Sequence, residues 1–445
     1  MDLSHTADIA EHHLKKTGVS KWEVLVLHSD TLTLAVQGTE VDKFQQASSL
    51  GLAIRVFEKD RTGFSYLMGG DDQAMAQAVE QALASARTSD LKQAAGPAPP
   101  ADGLAQTTVF DPKVQTEPVE SKKARALSLA RAAFKADPRV VHVHPAEIGE
   151  AVVRLHLRNS LGVDLTHQAT QVSAGAVAMA AENGSQEMAW EGDTKRFLAE
   201  LEPETLGREA GKRAAAFLGA EPMPDGRYDV VLENQVAVQF LELLAASLLG
   251  DNVVKNRSLL AEKLGQQTLS PQVTILDDGL YPRGLGTAPF DDEGTPQTKT
   301  VLVDKGVVRG FIYDRLWGEM AGAKSTGNAV RPSLKAPPGV GFTNLYLVPG
   351  QSTAQDLISG LDRGFFITDI MGGHTADPFS GEFSFGAAGH LVEGGRLVRP
   401  VKSMAVAGQV VEVFKAVAGL AGDLRFLGRT GSPSLLVTGL SLSGP

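Results

Sequence analysis

Residues 228–249, YDVVLENQVAVQFLELLAASLL, set a short apolar strand directly before a long apolar helix. Such a turn can seat metal ligands or catalytic groups, because the two elements hold it rigidly. Here it offers only Glu233, Asn234 and Gln235, a carboxylate and two amides. Gln235, Gln239 and Glu242 fall on one helical stripe, and almost every other position to Leu249 is apolar. Read alone, this is a core helix. His142 and His144 in VHVHPAE would share a strand face with Glu147 nearby, a spacing that can bind zinc. Pro145 ends that strand and no third ligand is evident, so a solvated pair is the simpler reading. GEMAGAKST (318–326) imitates a phosphate-binding loop, but only three residues separate Gly318 from Gly322, and Ala323 intervenes before Lys324 and Ser325. Asp291, Asp292 and Glu293 in APFDDEGTPQ either hold a hard cation or form a turn before the next hairpin. His374, Ser380, Ser384 and His390 lie within 371–401, yet the chain has no G-x-S-x-G elbow to make a serine nucleophilic.

The elements that must position these groups follow from pattern and composition. A chain of 445 residues exceeds one ordinary core and predicts two or three domains. With 43% hydrophobic and 21% charged residues it reads as a folded globular protein. No apolar run reaches the roughly 20 residues of a membrane span. The first residues, MDLSHTADIAEHHLKKTG, form a polar amphipathic helix rather than a signal peptide. The absence of cysteine removes disulfides and thiolate ligands, so a cytoplasmic location is expected. A net charge of −10 opposes nonspecific nucleic-acid binding, and no membrane or nucleic-acid partner is expected.

Residues 22–69 read as two hairpins, WEVLVLHS with TLTLAVQG and GLAIRVFEKDRTGFSYLMGG, followed by a helix at 71–88. The Pro-rich stretch 96–120 reads as a linker. A helix at 121–137, strands to about 184 and a helix at 202–219 follow. Beyond residue 228 the chain is mostly strand, apart from the apolar helix and short helices near 258–266, 353–361 and 408–419. The expected organisation is an N-terminal α/β subdomain (1–95), the linker (96–120), a central α/β subdomain (121–222) and a β-rich C-terminal domain (223–445). Strand runs followed by helices, without regular alternation, make the fold class α+β.

Four long stretches, 289–333, 337–350, 365–401 and 431–444, together with the general course of the chain, resemble the TldD/PmbA family, traditionally called modulators of DNA gyrase. The resemblance spans nearly the whole sequence. It implies a cytosolic peptidase assembly of two related subunits that cleaves unfolded or extended peptides, including leader peptides of modified microcins and small antitoxins. The TldD-type subunit carries zinc on an H-E-x-x-x-H helix, with a further cysteine ligand near its C-terminus.

This sequence departs from that pattern. Residues 233–238 read Glu-Asn-Gln-Val-Ala-Val, no histidine lies between His167 and His374, and there is no cysteine. The resemblance therefore implies a PmbA/TldE-type chain with no catalytic residue and no metal of its own, paired with a TldD-like zinc subunit. The alternative is a homodimeric peptide-binding or scaffold protein. A third reading, a carboxylate-bound metal at Asp291, Asp292 and Glu293 with a histidine, ranks last. For the extended peptide we expect a wall made by the DDEG turn (Asp291, Asp292, Glu293, Gly294) and the SGEFSF hairpin (Ser380, Gly381, Phe383).

Overall fold

A computed structural model of the chain describes residues 2–38, 40–89 and 95–444, apart from the side chain of His374. Residues 90–94, at the end of the expected first subdomain, lie outside the described residues. Helix α1 (Leu3–Thr17) is capped by the Asp2 carboxylate, which accepts from the Ser4 N–H at 2.9 Å, and stops at Gly18 in the left-handed region. The strands β1 (Trp22–Gln37), β2 (Glu40–Glu58) and β3 (Arg61–Met68) form an antiparallel meander. Helix α2 (Asp72–Thr88) joins α1 over one of its faces, where Ala7, Leu14, Met75 and Leu83 pack on Val26, Leu52 and Ile54.

The first expected hairpin is in fact one strand. WEVLVLHS and TLTLAVQG run straight through as β1, and the polar residues that suggested a turn are used across strands. The Ser48 hydroxyl of β2 donates to Asp30 at 2.8 Å and meets His28 Nε2 at 3.0 Å. Arg154 reaches Asp30 from the other neighbouring strand at 3.3 Å.

The connector that follows is packed rather than free. The Asn159 amide donates to Ala98 O at 2.8 Å, and Thr170 N–H donates to Val109 O at 3.0 Å. It ends in a single turn, α3 (Lys113–Thr116), and then come α4 (Val119–Lys135), β4 (Val140–Val143), β5 (Ala146–Asn159), β6 (Asp164–Glu182), β7 (Ser185–Lys195) and α5 (Pro203–Ala216). VDLTHQ and QVSAGAVAMAAENG belong to the single strand β6. Strand order is β3-β2-β1-β5-β6, with β4 and β7 also pairing with β6. The first and central stretches thus share one seven-stranded sheet. Helices α4 and α5 cover its central half, and Gly207 lets them close: a Cβ there would stand 2.2 Å from Leu129 O.

The C-terminal region begins with β8 (Gly226–Leu232), α6 (Asn234–Ala245), α7 (Gly250–Val254), β9 (Ile275–Asp278), β10 (Lys299–Asp304), β11 (Val307–Val308) and α8 (Arg315–Met320). It continues through β12 (Ala329–Val330), β13 (Gly339–Val340), β14 (Leu345–Leu347), α9 (Ala354–Ser359), β15 (Arg363–Met371), β16 (Glu382–Glu393) and β17 (Arg396–Gln409). Then come α10 (Val410–Lys415), β18 (Val417–Leu420), β19 (Arg425–Leu427), β20 (Thr430–Ser432) and β21 (Leu435–Ser443). Two six-stranded sheets result, ordered β11-β10-β9-β14-β20-β19 and β17-β16-β15-β8-β21-β18. Helix α6 shares one core with both. Phe240 meets the Phe383 and Phe385 rings edge-on at 5.2 and 5.5 Å, while Leu241 and Leu244 are buried in the cluster that holds Ile275 and Leu345. The hairpins expected after the DDEG turn and at SGEFSF are present, paired over 299–308 and 382–409, and the chain is α+β.

Candidate functional site at the strand to helix turn

Strand β8 is central in its sheet, parallel to β15 and antiparallel to β21, so the turn after Leu232 has a fixed place. Glu233 N–H donates to Ile367 O at 2.9 Å, extending the pairing with β15 by one residue. Within α6, the first residue Asn234 and the stripe Gln235, Gln239 and Glu242 are the positions left unburied, the stripe as its spacing predicts.

The polar groups at the turn form a chain of ion pairs across two domains. Arg213 of α5 donates from both terminal nitrogens to the Glu233 carboxylate, at 2.8 and 2.6 Å. Its Nε lies 3.1 Å from Glu191 of β7, and Arg425 of β19 caps the other oxygen of Glu191. The Gln235 amide donates to Glu233 Oε2 at 3.1 Å. Burial alone would lower the Arg213 pKa, but its hydrogen bonds to Glu233 and the two nearby carboxylates raise it, so it is a permanent cation. Nearby, burial pushes the Asp369 carboxyl up and the His390 imidazole down, both toward their neutral forms. On the other side of the turn, Asn234 donates to Asp423 O at 3.2 Å, and Asp423 accepts from the Ser434 N–H and hydroxyl at 2.8 and 2.7 Å.

An H-E-x-x-x-H zinc site does not fit this turn. Such a site needs neutral imidazoles and a carboxylate free to take a metal or a proton. Here the one carboxylate is held by both arms of a guanidinium, and the positions after it carry amides and aliphatic side chains. Among the described residues no cluster of three or more His, Asp or Glu is placed to hold a metal ion.

The DDEG turn lies inside the protein. Asp291 accepts from the N–H groups of Glu293, Thr295 and Ala329 at 3.0, 2.9 and 3.0 Å. Half-buried Asp292 accepts from Arg331 N–H at 2.6 Å. Glu293 receives Arg55 Nη1 at 2.8 Å and the Arg315 N–H at 3.1 Å. Gly294, at φ 84°, sits against Leu157. The turn therefore docks onto the first sheet, where Phe290 joins Leu25, Ala53, Leu157 and Val163. Asp291, Glu293 and Gly294 are buried, and the expected peptide wall is corrected at these three positions. Phe383 is corrected too, since it stacks on Phe385 at 4.9 Å inside the core. Gly381 is buried behind Ser380, which stays half-exposed on the loop before β16.

The remaining motifs stay apart. His142 and His144 adjoin, ring centroids 5.0 Å apart, without a third ligand. Lys324 follows α8 rather than preceding a helix, so 318–326 makes no phosphate cradle. Neither Arg213 nor Glu191 stood out in the sequence, because their partners lie far along the chain.

Sequence profiles described as PmbA/TldA metallopeptidase domains match in three consecutive segments, domain 1 at residues 22–86, the central domain at 112–218 and the C-terminal domain at 225–444. The chain belongs to the PmbA/TldD family. It is 27% identical over 398 residues to a metalloprotease TldD homolog of Buchnera aphidicola, covering 85% of this chain and 80% of the relative. A Thermotoga maritima protein described as a modulator of a DNA gyrase has the same fold, with a TM-score of 0.90, 26% identity and 99% of this chain covered against all of its own. TldE from Thermococcus kodakarensis superposes with a TM-score of 0.88 over 98% of this chain and all of its own, at 20% identity, a likeness of fold. Among the described residues no helix is long and apolar enough to cross a membrane.

Proposed function

We propose that this chain is the non-catalytic, TldE/PmbA-type subunit of a two-subunit zinc peptidase that acts on unfolded peptides, with the zinc held by a TldD-like partner. One observation carries the reading: at the turn where the family resemblance puts metal ligands, Arg213 holds Glu233 with two hydrogen bonds and no imidazole follows. A guanidinium there stabilises the fold and repels a dication. The chain's contribution is then to complete the partner's surface and to hold the peptide in extended form. Ser380, on the loop before β16, and half-buried Asp292 are the candidate groups for that contact. An acidic, cysteine-free chain suits work in the cytoplasm.

The test is reconstitution. The chain alone, loaded with zinc, should leave a casein-derived peptide intact, and adding the related H-E-x-x-x-H subunit should produce cleavage above that subunit's own rate. Chelator-sensitive hydrolysis by the isolated chain would overturn the proposal. Peptide binding by a homodimer, with no gain on adding the related subunit, would favour a scaffold instead.

A further inference from the structure

Helices α4 and α5 cover one face of β5 and β6. On the other face Glu147, Gly175 and Gly192 stand in one row across β5, β6 and β7. The two glycines make room for the indole of Trp190. A Cβ on Gly192 would stand 2.6 Å from the indole Cζ2, and one on Gly175 would stand 3.3 Å from its Nε1. The ring therefore lies across the backbone of both strands, and it remains 54% exposed. It lines an open cavity of about 370 Å³ together with Glu147, Ser173 and Thr194 of the sheet and Leu427 and Gly428 of the turn between β19 and β20.

This platform is held in place. Glu191, the next residue on β7, is buried and takes Arg213 on one oxygen and Arg425 on the other. That bridge fixes β7 against the β19–β20 hairpin, so the two sides of the cavity are rigid before anything binds. Two groups in it are unused. Among the described residues the exposed Glu147 carboxylate has no hydrogen bond or ion pair. No cation of the chain rests on the Trp190 ring, whereas Trp317 already has Lys255 Nζ 4.4 Å from its ring centre. Glu147 is one strand, about 5 Å, from Gly175, so a group lying on the indole is within reach of its carboxylate. A neutral ring would stack on Trp190 and leave the carboxylate unmatched. A guanidinium stacks on the indole and donates to the carboxylate at once. The net charge of −10 also draws cations toward the surface.

We propose that this cavity is a subsite for an arginine side chain of an extended peptide, its guanidinium stacked on Trp190 and paired with Glu147. The inference rests on the peptide-holding reading above for the source of the ligand, and it names a side chain that the chain selects.

The chain has three tryptophans, Trp22, Trp190 and Trp317, so ¹⁹F NMR of the full-length chain labelled with 5-fluorotryptophan reads the site directly, with W190F assigning its signal. N-acetyl-arginine amide should shift the Trp190 signal saturably, and Glu147→Gln should weaken that binding at least threefold without changing the melting temperature. N-acetyl-citrulline amide, of the same shape without the charge, should leave the signal in place over the same concentrations. No response to the arginine probe, an equal response to citrulline, or binding unchanged in E147Q overturns the subsite, as does a shift produced by methyl β-glucoside instead. In the reconstituted pair, exchanging arginine for citrulline in the peptide should lower kcat/KM at least threefold, and E147Q should remove that difference. Arginine binding without this preference in an active pair overturns the assignment to a peptide side chain. A pair that cleaves nothing removes the two-subunit reading, while the titration of the single chain still decides the cavity.

Discussion

Replacing Arg55 by methionine should cost about 3–5 kcal/mol of stability, the range found when one member of a buried ion pair is removed. Arg55 donates to Glu23 through Nε and Nη2 at 3.0 and 2.8 Å, and to Glu293 through Nη1 at 2.8 Å. Arg331 supplies a second cation to Glu23 at 2.8 Å, and all four side chains are less than a tenth exposed. Without Arg55, Glu293 keeps only the Arg315 N–H among its described partners, and a charged carboxylate stays buried. Much of the loss is the penalty of that orphaned charge, so R55M/E293Q should cost less than the sum of the single changes by about 1–3 kcal/mol. Urea unfolding followed by tryptophan fluorescence measures both quantities. Trp22, buried in the first sheet, reports the side of the joint that Arg55 holds. A cost for R55M below about 1 kcal/mol, or strict additivity in the double variant, would refute the reading of DDEG as an interdomain lock.

Phe240→Ala should cost about 3–5 kcal/mol by calorimetry, since its buried ring packs edge-on against both Phe383 and Phe385, and a loss under about 1 kcal/mol would mean α6 is not the core helix. Gly207→Ala should cost about 1–3 kcal/mol in the same assay by forcing α5 away from Leu129 O. Asp314 is pushed up to about 7 by burial and by Glu293, with Arg55 acting in the opposite sense. Its folded pKa exceeds the ordinary carboxylate value, so its contribution is full below about pH 4 and is lost as pH rises through about 7. Asp314→Asn, which can still cap α8 at Trp317 N–H, should match the parent at pH 4 and melt higher than it at pH 8. Equal melting temperatures at pH 8 would contradict the raised pKa.

The parts of this fold legible in sequence are those whose pattern is local. Helix α6 and its polar stripe, the Lys305–Gly306 turn and the 382–409 hairpin each follow from a period of 3.6 or 2 over adjacent residues. The continuity of β1 was hidden because His28 and Asp30 look like turn residues until Ser48 and Arg154 are placed beside them. Strand β7 escaped notice because Met188 and Trp190 lie on an exposed face and leave no buried stripe. The DDEG turn looked like a surface feature because nothing near it in sequence reveals Arg55, 238 positions away. The same holds for Arg213 and Glu191, which close the turn before α6 from another domain. Long-range ion pairs have no sequence period, and they decide here which acidic residues face solvent.

If this chain is the silent half of a zinc peptidase, as proposed, the zinc travels with its partner. Native mass spectrometry with metal analysis, on the tagged chain purified from its own cells, tests it most directly. The expected result is a complex with a related subunit that contains one zinc per pair, retained by the other chain on dissociation. A zinc-free homodimer, or zinc that stays with this chain, would contradict it.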